Sequence, residues 1–161
     1  MNAVTDTKTE EIFYGESYNK LISATDEIVA LISRLRDRIA ANDMRDPVEH
    51  VKTRIKSVDS MTKKLVKNGF DPTAYNALNS VFDAAGIRIV CTFLDDVYLI
   101  VNLIKQQKKI NAVCEKDYIK NPKPNGYRSY HMIVKIDGVY AEIQIRTIAM
   151  DCWASLEHQL K

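Results

Sequence analysis

The sequence predicts an α+β or α/β domain built on a mixed β-sheet with flanking helices. Apolar residues recur every three or four positions in some segments, as in amphipathic helices, and every second position in others, as in half-buried strands. An Asp-Gly pair between two alternating segments indicates a two-residue hairpin turn. Together these patterns predict four to five strands and four or more helices.

The first elements are one or two amphipathic helices between about Glu10 and Ala41. Gly15 and Ser17 are positioned to interrupt their first turns. We expect residues 1–45 to form an N-terminal helical segment. Residues 46–161 are expected to form the main domain and to make one compact unit with these helices.

A cationic strand follows, because the period changes to two after the helical segment. Ser57 is expected to cap the next helix, and Gly69 to end it. The alternating residues of the strand are apolar or neutral on one side and cationic on the other: Val51, Thr53 and Ile55 against Lys52, Arg54 and Lys56.

The second half of the chain contains most of the predicted strands. "AGIRIVCTFLD" alternates with period two, and Asp95 is expected to cap a helix running to about Lys109. A short strand over residues 111–116 precedes "DYIKNPKPNGYRSYH". Two further strands turn at Asp137-Gly138, and a last helix carries apolar residues at helical spacing after residue 148.

Composition limits the possible classes of protein. The chain has 161 residues, of which 46% are hydrophobic, enough for one domain with one core. A formal charge of +2 is too small for a non-specific polyanion binder, so we do not expect nucleic acid as a partner. Three cysteines without CxxC spacing indicate reduced thiols. No apolar run reaches the roughly 18 residues of a membrane span, and the N-terminus lacks a signal-peptide core, so we expect a soluble, cytoplasmic protein.

Cations and carboxylates recur on the strands in a way that suits a polyphosphate ligand. Arg54 and Lys56 project from one strand face, with Ser60 and Lys64 at the start of the following helix. An ordinary solvated face is the alternative interpretation of this pattern. Asp83 precedes a tight Ala-Ala-Gly turn, where it could bind Mg²⁺ or simply stabilise the turn.

The second strand of the hairpin adds a polar face made of Glu142, Gln144 and Arg146. Simple exposure would also explain this face. With Asp83 on a neighbouring strand, however, Glu142 could share a divalent ion or act as a general base.

The segment from residue 117 to 131 combines cations, prolines and aromatic residues. Two prolines reduce the entropy lost when the loop becomes ordered, and Gly126 allows close approach of the backbone to a ligand. Tyr127 could stack on a base, and His131 follows four residues later. A plain surface turn is the alternative for the loop, and a packed or hydrogen-bonded histidine is the alternative for His131.

Four motifs appear together in one order: "HVKTRIKS", "DAAGIRIV", "KDYIKNPKPNGYRSYH" and "AEIQIRTIAMDCWASLEHQL". In their order and spacing they resemble the synthetase domain of the RelA/SpoT family, and more closely the small alarmone synthetases. The resemblance covers about residues 45–161. It implies a nucleotidyltransferase-like α+β fold and transfer of the β,γ-diphosphate of ATP to the 3′-hydroxyl of GDP or GTP, giving (p)ppGpp and AMP.

The resemblance also implies residue roles. Arg54 and Arg88 would sandwich adenine, and Lys56, Ser60 and Lys64 would hold the ATP phosphates. Asp83 and Glu142 would bind Mg²⁺, with Glu142 also activating the 3′-hydroxyl. Tyr127 would stack on guanine, and the other acceptor residues would be Lys116, Lys123, Asn125, His131 and Gln144.

The sequence departs from the family pattern in two respects, and the resemblance also leaves two rival functions open. Small synthetases continue beyond this region into helices that build oligomers, often tetramers, so the chain resembles a shortened or truncated homo-oligomeric form. Cys114 stands where bifunctional relatives carry a basic residue. The rival functions are diphosphate transfer to another adenosine nucleotide or to a tRNA 3′ end, and nucleotide or RNA binding without chemistry.

Overall fold

A five-stranded mixed sheet organises the chain in a computed structural model that describes residues 3–160, with side chains from residue 9 onward. The strand order is β1-β2-β5-β4-β3. β2 and β5 run parallel and every other neighbouring pair is antiparallel, which confirms the predicted mixed sheet. The strands are β1 (Val48–Ile55), β2 (Ala85–Cys91), β3 (Asn111–Asp117), β4 (Tyr130–Ile136) and β5 (Val139–Thr147).

Helices precede, connect and follow the strands. The N-terminal pattern forms two helices, and Gly15 lies between them with a φ of +58°, a conformation that favours glycine. The predicted interruption at Gly15 is therefore confirmed. The helices are α1 (Ala3–Tyr14), α2 (Ser17–Ala41), α3 (Val58–Lys67), α4 (Ala74–Asn79), α5 (Leu94–Lys105) and α6 (Ile148–Leu160).

One core joins α2 and α5 to the sheet. Alternate apolar residues of the two central strands are fully buried together with the apolar stripes of these helices. Since side chains of a strand alternate between its faces, the polar residues between them lie on the opposite face of the sheet. That face is only partly covered, and most of the residues predicted to form the site lie on it. The buried strand residues include Ile87, Ile89, Ile143 and Ile145.

The hairpin forms at the predicted position. Asp137 and Gly138 have φ values of +48° and +81°, which are the positive angles that a type I′ turn requires at both central residues. The turn sets the register of β4 against β5, and it thereby places His131 directly opposite Gln144.

Two local predictions, the start and the end of α5, were wrong, and one short helix was missed. Phe93, not Asp95, is the N-cap of α5, because the Asp96 carboxylate accepts a hydrogen bond from the Phe93 backbone N–H at 3.0 Å. α5 also ends at Lys105, earlier than Lys109. The six-residue helix α4 was not predicted, and it begins where the Thr73 side chain caps its first turn.

No helix among residues 3–160 has both the length and the apolar character needed to cross a membrane.

Candidate functional site

Two rows of polar residues cross the open face of the sheet. Arg54 on β1 pairs with Gly86 on β2, and Gly86 pairs with Glu142 on β5. Because directly opposed residues point to the same side of a sheet, Arg54 and Glu142 flank a position that has no side chain. The parallel row one step along the strands contains Lys52, Arg88, Gln144, His131 and Lys116.

A first cavity of about 290 Å³ lies over β1, β2 and β5. Arg54 and Arg88, both predicted to contact the same nucleotide, line it. A Cβ atom at Gly86 would stand 3.7 Å from the Arg54 Cγ, so glycine keeps the floor of the cavity open beside that arginine. The complete lining is Lys52, Thr53, Arg54, Asp83, Gly86, Ile87, Arg88, Glu142 and Gln144.

Asp83 forms the anionic centre of this region. Its Oδ2 atom lies 2.7 Å from the Lys56 Nζ and 2.8 Å from the Lys64 Nζ. Burial alone would raise the pKa of Asp83, but the hydrogen bonds and charges of the two lysines outweigh it and hold the pKa below its usual value. The Oδ1 atom is buried and has no hydrogen-bond partner. Asp83 is therefore a charged carboxylate with one oxygen available to a ligand.

A second cavity of about 560 Å³ lies over β3 and β4 and extends to α3 and the segment after α4. Lys116 and His131, predicted to contact the acceptor, line it. Its remaining wall is partly aromatic, a surface suited to a flat ring. The lining is Lys64, Asn68, Phe70, Ser80, Val81, Phe82, Asp83, Cys114, Lys116, Tyr118, His131, Ile133 and Glu142.

Asp83 and Glu142 line both cavities. The two carboxylates, 59 positions apart in the sequence, therefore lie where the cavities adjoin. A cation bound between them would contact ligands in either cavity, which is the arrangement that a reaction between two bound anions requires.

A continuous hydrogen-bond network surrounds Glu142. Gln144 Nε2 donates to Glu142 Oε1 at 2.7 Å, and the Tyr127 hydroxyl lies 2.8 Å from His131 Nε2. Arg146 Nη2 donates to the Tyr127 hydroxyl at 2.9 Å and also to Gln144 Oε1. These bonds hold the polar face of β5 in one arrangement.

His131 is held in its neutral form. Its burial, with the nearby charges of Arg146, Lys123 and Lys116, lowers its pKa to about 4. Its Nδ1 atom lies 4.0 Å from Glu142 Oε1. At neutral pH it therefore acts as a hydrogen-bonding group and not as a cation.

The loop between β3 and β4 contains Tyr118 and Tyr127, and the ammonium group of Lys123 lies close to both rings. Lys123 Nζ lies 4.8 Å from the centre of the Tyr118 ring and 5.3 Å from that of Tyr127. The Asn125 side chain accepts a hydrogen bond from the Tyr127 N–H at 3.0 Å, so it shapes the turn. Lys123, Asn125 and Tyr127 border the second cavity through Tyr118 and His131 and are not among its lining residues.

Ser60 is one of the residues predicted to hold the ATP phosphates. It is exposed on α3, and its backbone N–H donates to the capping Ser57 side chain at 3.2 Å. It lines neither cavity. Its role as a phosphate ligand stays a prediction.

Sequence reasoning did not select several residues of the site. Lys52 and Thr53 line the first cavity and directly precede Arg54 on β1. The strand period could have identified Lys52, because it lies on the same face as Arg54. Tyr118 lies in the motif "KDYIKNPKPNGYRSYH", but the sequence analysis assigned the stacking role to Tyr127, whose ring lies 6.2 Å from that of Tyr118. Asp151 had no local signal: α6 brings it back over the sheet, 3.4 Å from Arg88 Nη1 and 3.5 Å from Arg146 Nη1.

Known proteins share both the sequence and this architecture. Residues 53–161 match the family model described as the region found in RelA/SpoT proteins. The GTP pyrophosphokinase YwaC of Bacillus subtilis (strain 168) is 42% identical over 151 residues, which cover 89% of this chain and 70% of that protein.

Solved structures agree with the sequence match. A GTP pyrophosphokinase family protein from Streptococcus pneumoniae superposes with a TM-score of 0.82 at 33% identity, covering 90% of this chain and 74% of the other. Small alarmone synthetase 1 from Bacillus subtilis, bound to its product pppGpp, has a TM-score of 0.76 at 33% identity, covering 87% of this chain and 75% of the other.

Proposed function

This chain belongs to the RelA/SpoT family, and we propose that it transfers the β,γ-diphosphate of ATP to the 3′-hydroxyl of GDP or GTP, forming (p)ppGpp and AMP. The observation that carries the proposal is that two cavities adjoin at Asp83 and Glu142. Diphosphate transfer needs a donor and an acceptor held in line, with their charges neutralised, and little covalent help from the protein.

The first cavity is the ATP site. Arg54 and Arg88 are two planar guanidinium groups on neighbouring strands, suited to stacking on adenine from either side. Lys64 lines the second cavity and Lys56 lines neither, but both pair with Asp83, where the two cavities adjoin. They are placed there to bind the ATP phosphates, because both already hold an anionic oxygen of Asp83. Ser60 would add a hydroxyl to this phosphate site.

Asp83 and Glu142 fit a Mg²⁺ ion. The buried Asp83 Oδ1 has no partner, and oxygen atoms of carboxylates are the ligands that Mg²⁺ prefers. When bound, the ion would neutralise negative charge on the transferred diphosphate. The chain itself supplies Lys56 and Lys64 as further cations, and these shift from Asp83 to the phosphates.

The second cavity is the acceptor site. Its aromatic wall at Tyr118, the adjacent Tyr127 and the cations Lys116 and Lys123 suit a guanine nucleotide with anionic phosphates. His131, Gln144 and Asn125 hold the shape of this site through their hydrogen bonds.

Glu142 is the group placed to take the proton of the attacking 3′-hydroxyl. It lines both cavities, and the Gln144 amide donates to its Oε1 atom, which holds the carboxylate in position. A charged carboxylate at the reacting hydroxyl acts as general base, and the released AMP leaves through the first cavity.

The decisive experiment is a product assay with labelled ATP, Mg²⁺ and, in turn, GDP, GTP, GMP and bulk tRNA. We expect label on the 3′ position of GDP or GTP. Product on tRNA or an adenosine nucleotide would instead favour the rival transfer function, and no product with any acceptor would favour a binding module.

Glu142→Gln tests the role of the carboxylate in the same assay. We expect product formation to fall by about 10²–10⁴-fold, the usual contribution of a general base, while ATP binding is retained. Glu49→Gln, at an exposed position of β1, is the matched control. Turnover by Glu142→Gln equal to that of the control would refute the role of Glu142.

Homo-oligomerisation, a tetramer in particular, stays a prediction. Exposed apolar side chains on α6, among them Trp153, Leu156 and Leu160, support an interface on that helix. Light scattering coupled to size-exclusion chromatography measures the oligomeric state directly, and a single-chain mass would contradict the prediction.

A further inference from the structure

Arg146 is the most deeply buried charged group of the site and has no role in the proposed mechanism so far. Only 2% of its surface is exposed, although its side chain lies on the same face of β5 as Glu142 and Gln144. Burying a guanidinium group costs several kcal/mol unless it is paired and hydrogen-bonded. The contacts of its two Nη atoms offset part of this cost, whereas its buried Nε atom has no hydrogen-bond partner.

The two ends of the guanidinium group contact opposite sides of the site. Nη2 donates to the Tyr127 hydroxyl and to Gln144 Oε1. Nη1 lies 3.5 Å from Asp151 Oδ1, and the same oxygen lies 3.4 Å from Nη1 of Arg88. One side chain thus contacts the acceptor side directly and the donor side through Asp151.

Arg146 also sets the direction of the hydrogen bonds around Glu142. A guanidinium group can only donate, so Gln144 must present its carbonyl oxygen to Arg146 and its NH₂ group to Glu142. The Glu142 carboxylate, which only accepts, requires the same orientation, so Arg146 and Glu142 together fix the Gln144 amide between them.

The same reasoning applies to Tyr127 and His131. Because the Tyr127 oxygen accepts from Arg146, its single proton is free to be donated to His131 Nε2, 2.8 Å away. A neutral imidazole that accepts at Nε2 carries its proton on Nδ1. Nδ1 is the atom that faces Glu142 Oε1 at 4.0 Å.

We propose that Arg146 is a positioning residue that holds Glu142, Tyr127 and Arg88 in their reactive arrangement. It does so by donating to Gln144 and Tyr127, which sets the direction of their hydrogen bonds, and by sharing Asp151 with Arg88. This inference rests on the proposed function, because it concerns the carboxylate assigned there as the base. Arg146 itself lines neither cavity. Its loss would leave both nucleotides bound but poorly aligned.

Steady-state kinetics test the proposal with Arg146→Met, which keeps the length of the side chain without its donors, and with Arg146→Lys, which keeps the charge without the planar fork. We expect kcat to fall about 10–100-fold in Arg146→Met, as for the loss of hydrogen bonds to charged groups, with either KM changed by less than about threefold. Arg146→Lys should recover only part of the rate. Arg38→Met, on the exposed end of α2, is the matched control.

A double-mutant cycle with Gln144→Met tests whether Arg146 acts through Gln144. The double variant should be about as slow as the slower single variant. Fully additive losses, an unchanged kcat in both Arg146 variants, or a loss confined to one KM would overturn the proposal. If Arg146→Met fails to fold in thermal unfolding, Arg146→Lys and Gln144→Met carry the kinetic test.

Nuclear magnetic resonance separates this proposal from the proposed function. The ¹⁵N shifts of the three histidine rings, assigned with His131→Gln, report the tautomer without any turnover. We expect the Nδ1–H form for His131 in the wild-type protein and a mixture, or the Nε2–H form, in Arg146→Lys. An Nε2–H form in the wild type overturns the inference even if the enzyme is active. An inactive wild type with the expected tautomer refutes the function and leaves the hydrogen-bond direction standing.

Discussion

Lys63 and Lys64 show how one residue position decides whether a lysine belongs to the site. Lys64 reaches Asp83 at 2.8 Å and lines the second cavity, whereas Lys63 pairs with Asp59 on the exposed side of the same helix. Neighbouring residues of a helix are separated by about 100°, so their side chains point in different directions. The two lysines are therefore a natural matched pair.

Lys64→Met should weaken ATP binding. Losing one charge-assisted hydrogen bond to phosphate costs about 1.5–3 kcal/mol, which predicts a KM for ATP raised by about 10–100-fold. Lys63→Met should leave that KM unchanged, because surface ion pairs one turn apart on a helix contribute little. Kinetics at saturating GDP measures both values. Equal effects in the two variants would show that Lys64 contributes only to overall charge.

His131 makes stability depend on pH. The folded pKa of about 4 lies below the usual value of 6.5, so between these values the unfolded chain binds more protons than the folded one. Stability from this residue is thus complete above pH 6.5 and is lost as the pH falls towards 4. From pH 7 to pH 5 we expect a loss of about 2 kcal/mol attributable to His131.

Urea unfolding at pH 7 and pH 5 measures this loss. The pH dependence should be smaller in His131→Gln by that amount, while His158→Gln, at an exposed position of α6, should behave like the wild type. An equal pH dependence in all three proteins would mean that His131 is not buried in its neutral form.

At the level of elements, the strands were the most predictable part of the site. Arg54, Arg88 and Glu142 share one face because the period of a strand is fixed, and the Asp-Gly turn fixed the register of the hairpin. The contacts of Arg146 and Asp151 were not predictable from the sequence. They depend on the path of α6 back over β2 and β5, and no local period encodes that path.

Short elements were less predictable for a related reason. α4 has only six residues, too few for a helical period to be recognised. The start of α5 was misplaced because Asp95 and Asp96 are equally suitable cap residues by composition, and only the Asp96 contact with the Phe93 N–H identifies the cap.

Helix α1 contacts the site through a hydrogen bond of Tyr14. The buried Tyr14 hydroxyl donates to the Lys56 carbonyl at 2.7 Å, at the end of β1. The Lys56 side chain pairs with Asp83, and the Lys56 backbone N–H donates to the Ala84 carbonyl at 2.8 Å. The N-terminal helices therefore help to position a lysine of the phosphate site.

Tyr14→Phe should lower the free energy of unfolding by about 1 kcal/mol and raise the KM for ATP, because Lys56 loses part of its support. Tyr18→Phe, half-buried in α2, is the matched control. Chemical unfolding and steady-state kinetics provide the two readouts. A loss of stability without a change in KM would show that α1 supports the fold alone, and no change in either would contradict the coupling of residues 1–45 to the main domain.

At the scale of the whole molecule, the small net charge does not reflect the local clustering of charged residues around the two cavities. The formal charge is only +2, yet a lysine and two arginines line the first cavity, two lysines line the second, and two carboxylates lie where the cavities adjoin. The proposed binding of two anionic nucleotides side by side would therefore depend on these local cations, and on Mg²⁺ if it binds between the carboxylates, to offset the repulsion of the phosphates. Both ligands should bind at the same time.

Thermal unfolding tests simultaneous binding. With Mg²⁺, a non-hydrolysable ATP analogue and GDP at about 100 times their dissociation constants should each stabilise the protein by about 2.7 kcal/mol, raising Tm by about 5–10 °C for a chain of this length. Because the ligands occupy separate cavities, the two stabilisation energies should add. Tyr127→Ala should remove most of the GDP shift and keep that of the ATP analogue, whereas Tyr75→Ala, exposed on α4, should keep both. If the ATP analogue abolished the GDP shift in the wild type, the two nucleotides would compete for one cavity, and the assignment of separate donor and acceptor sites would be wrong.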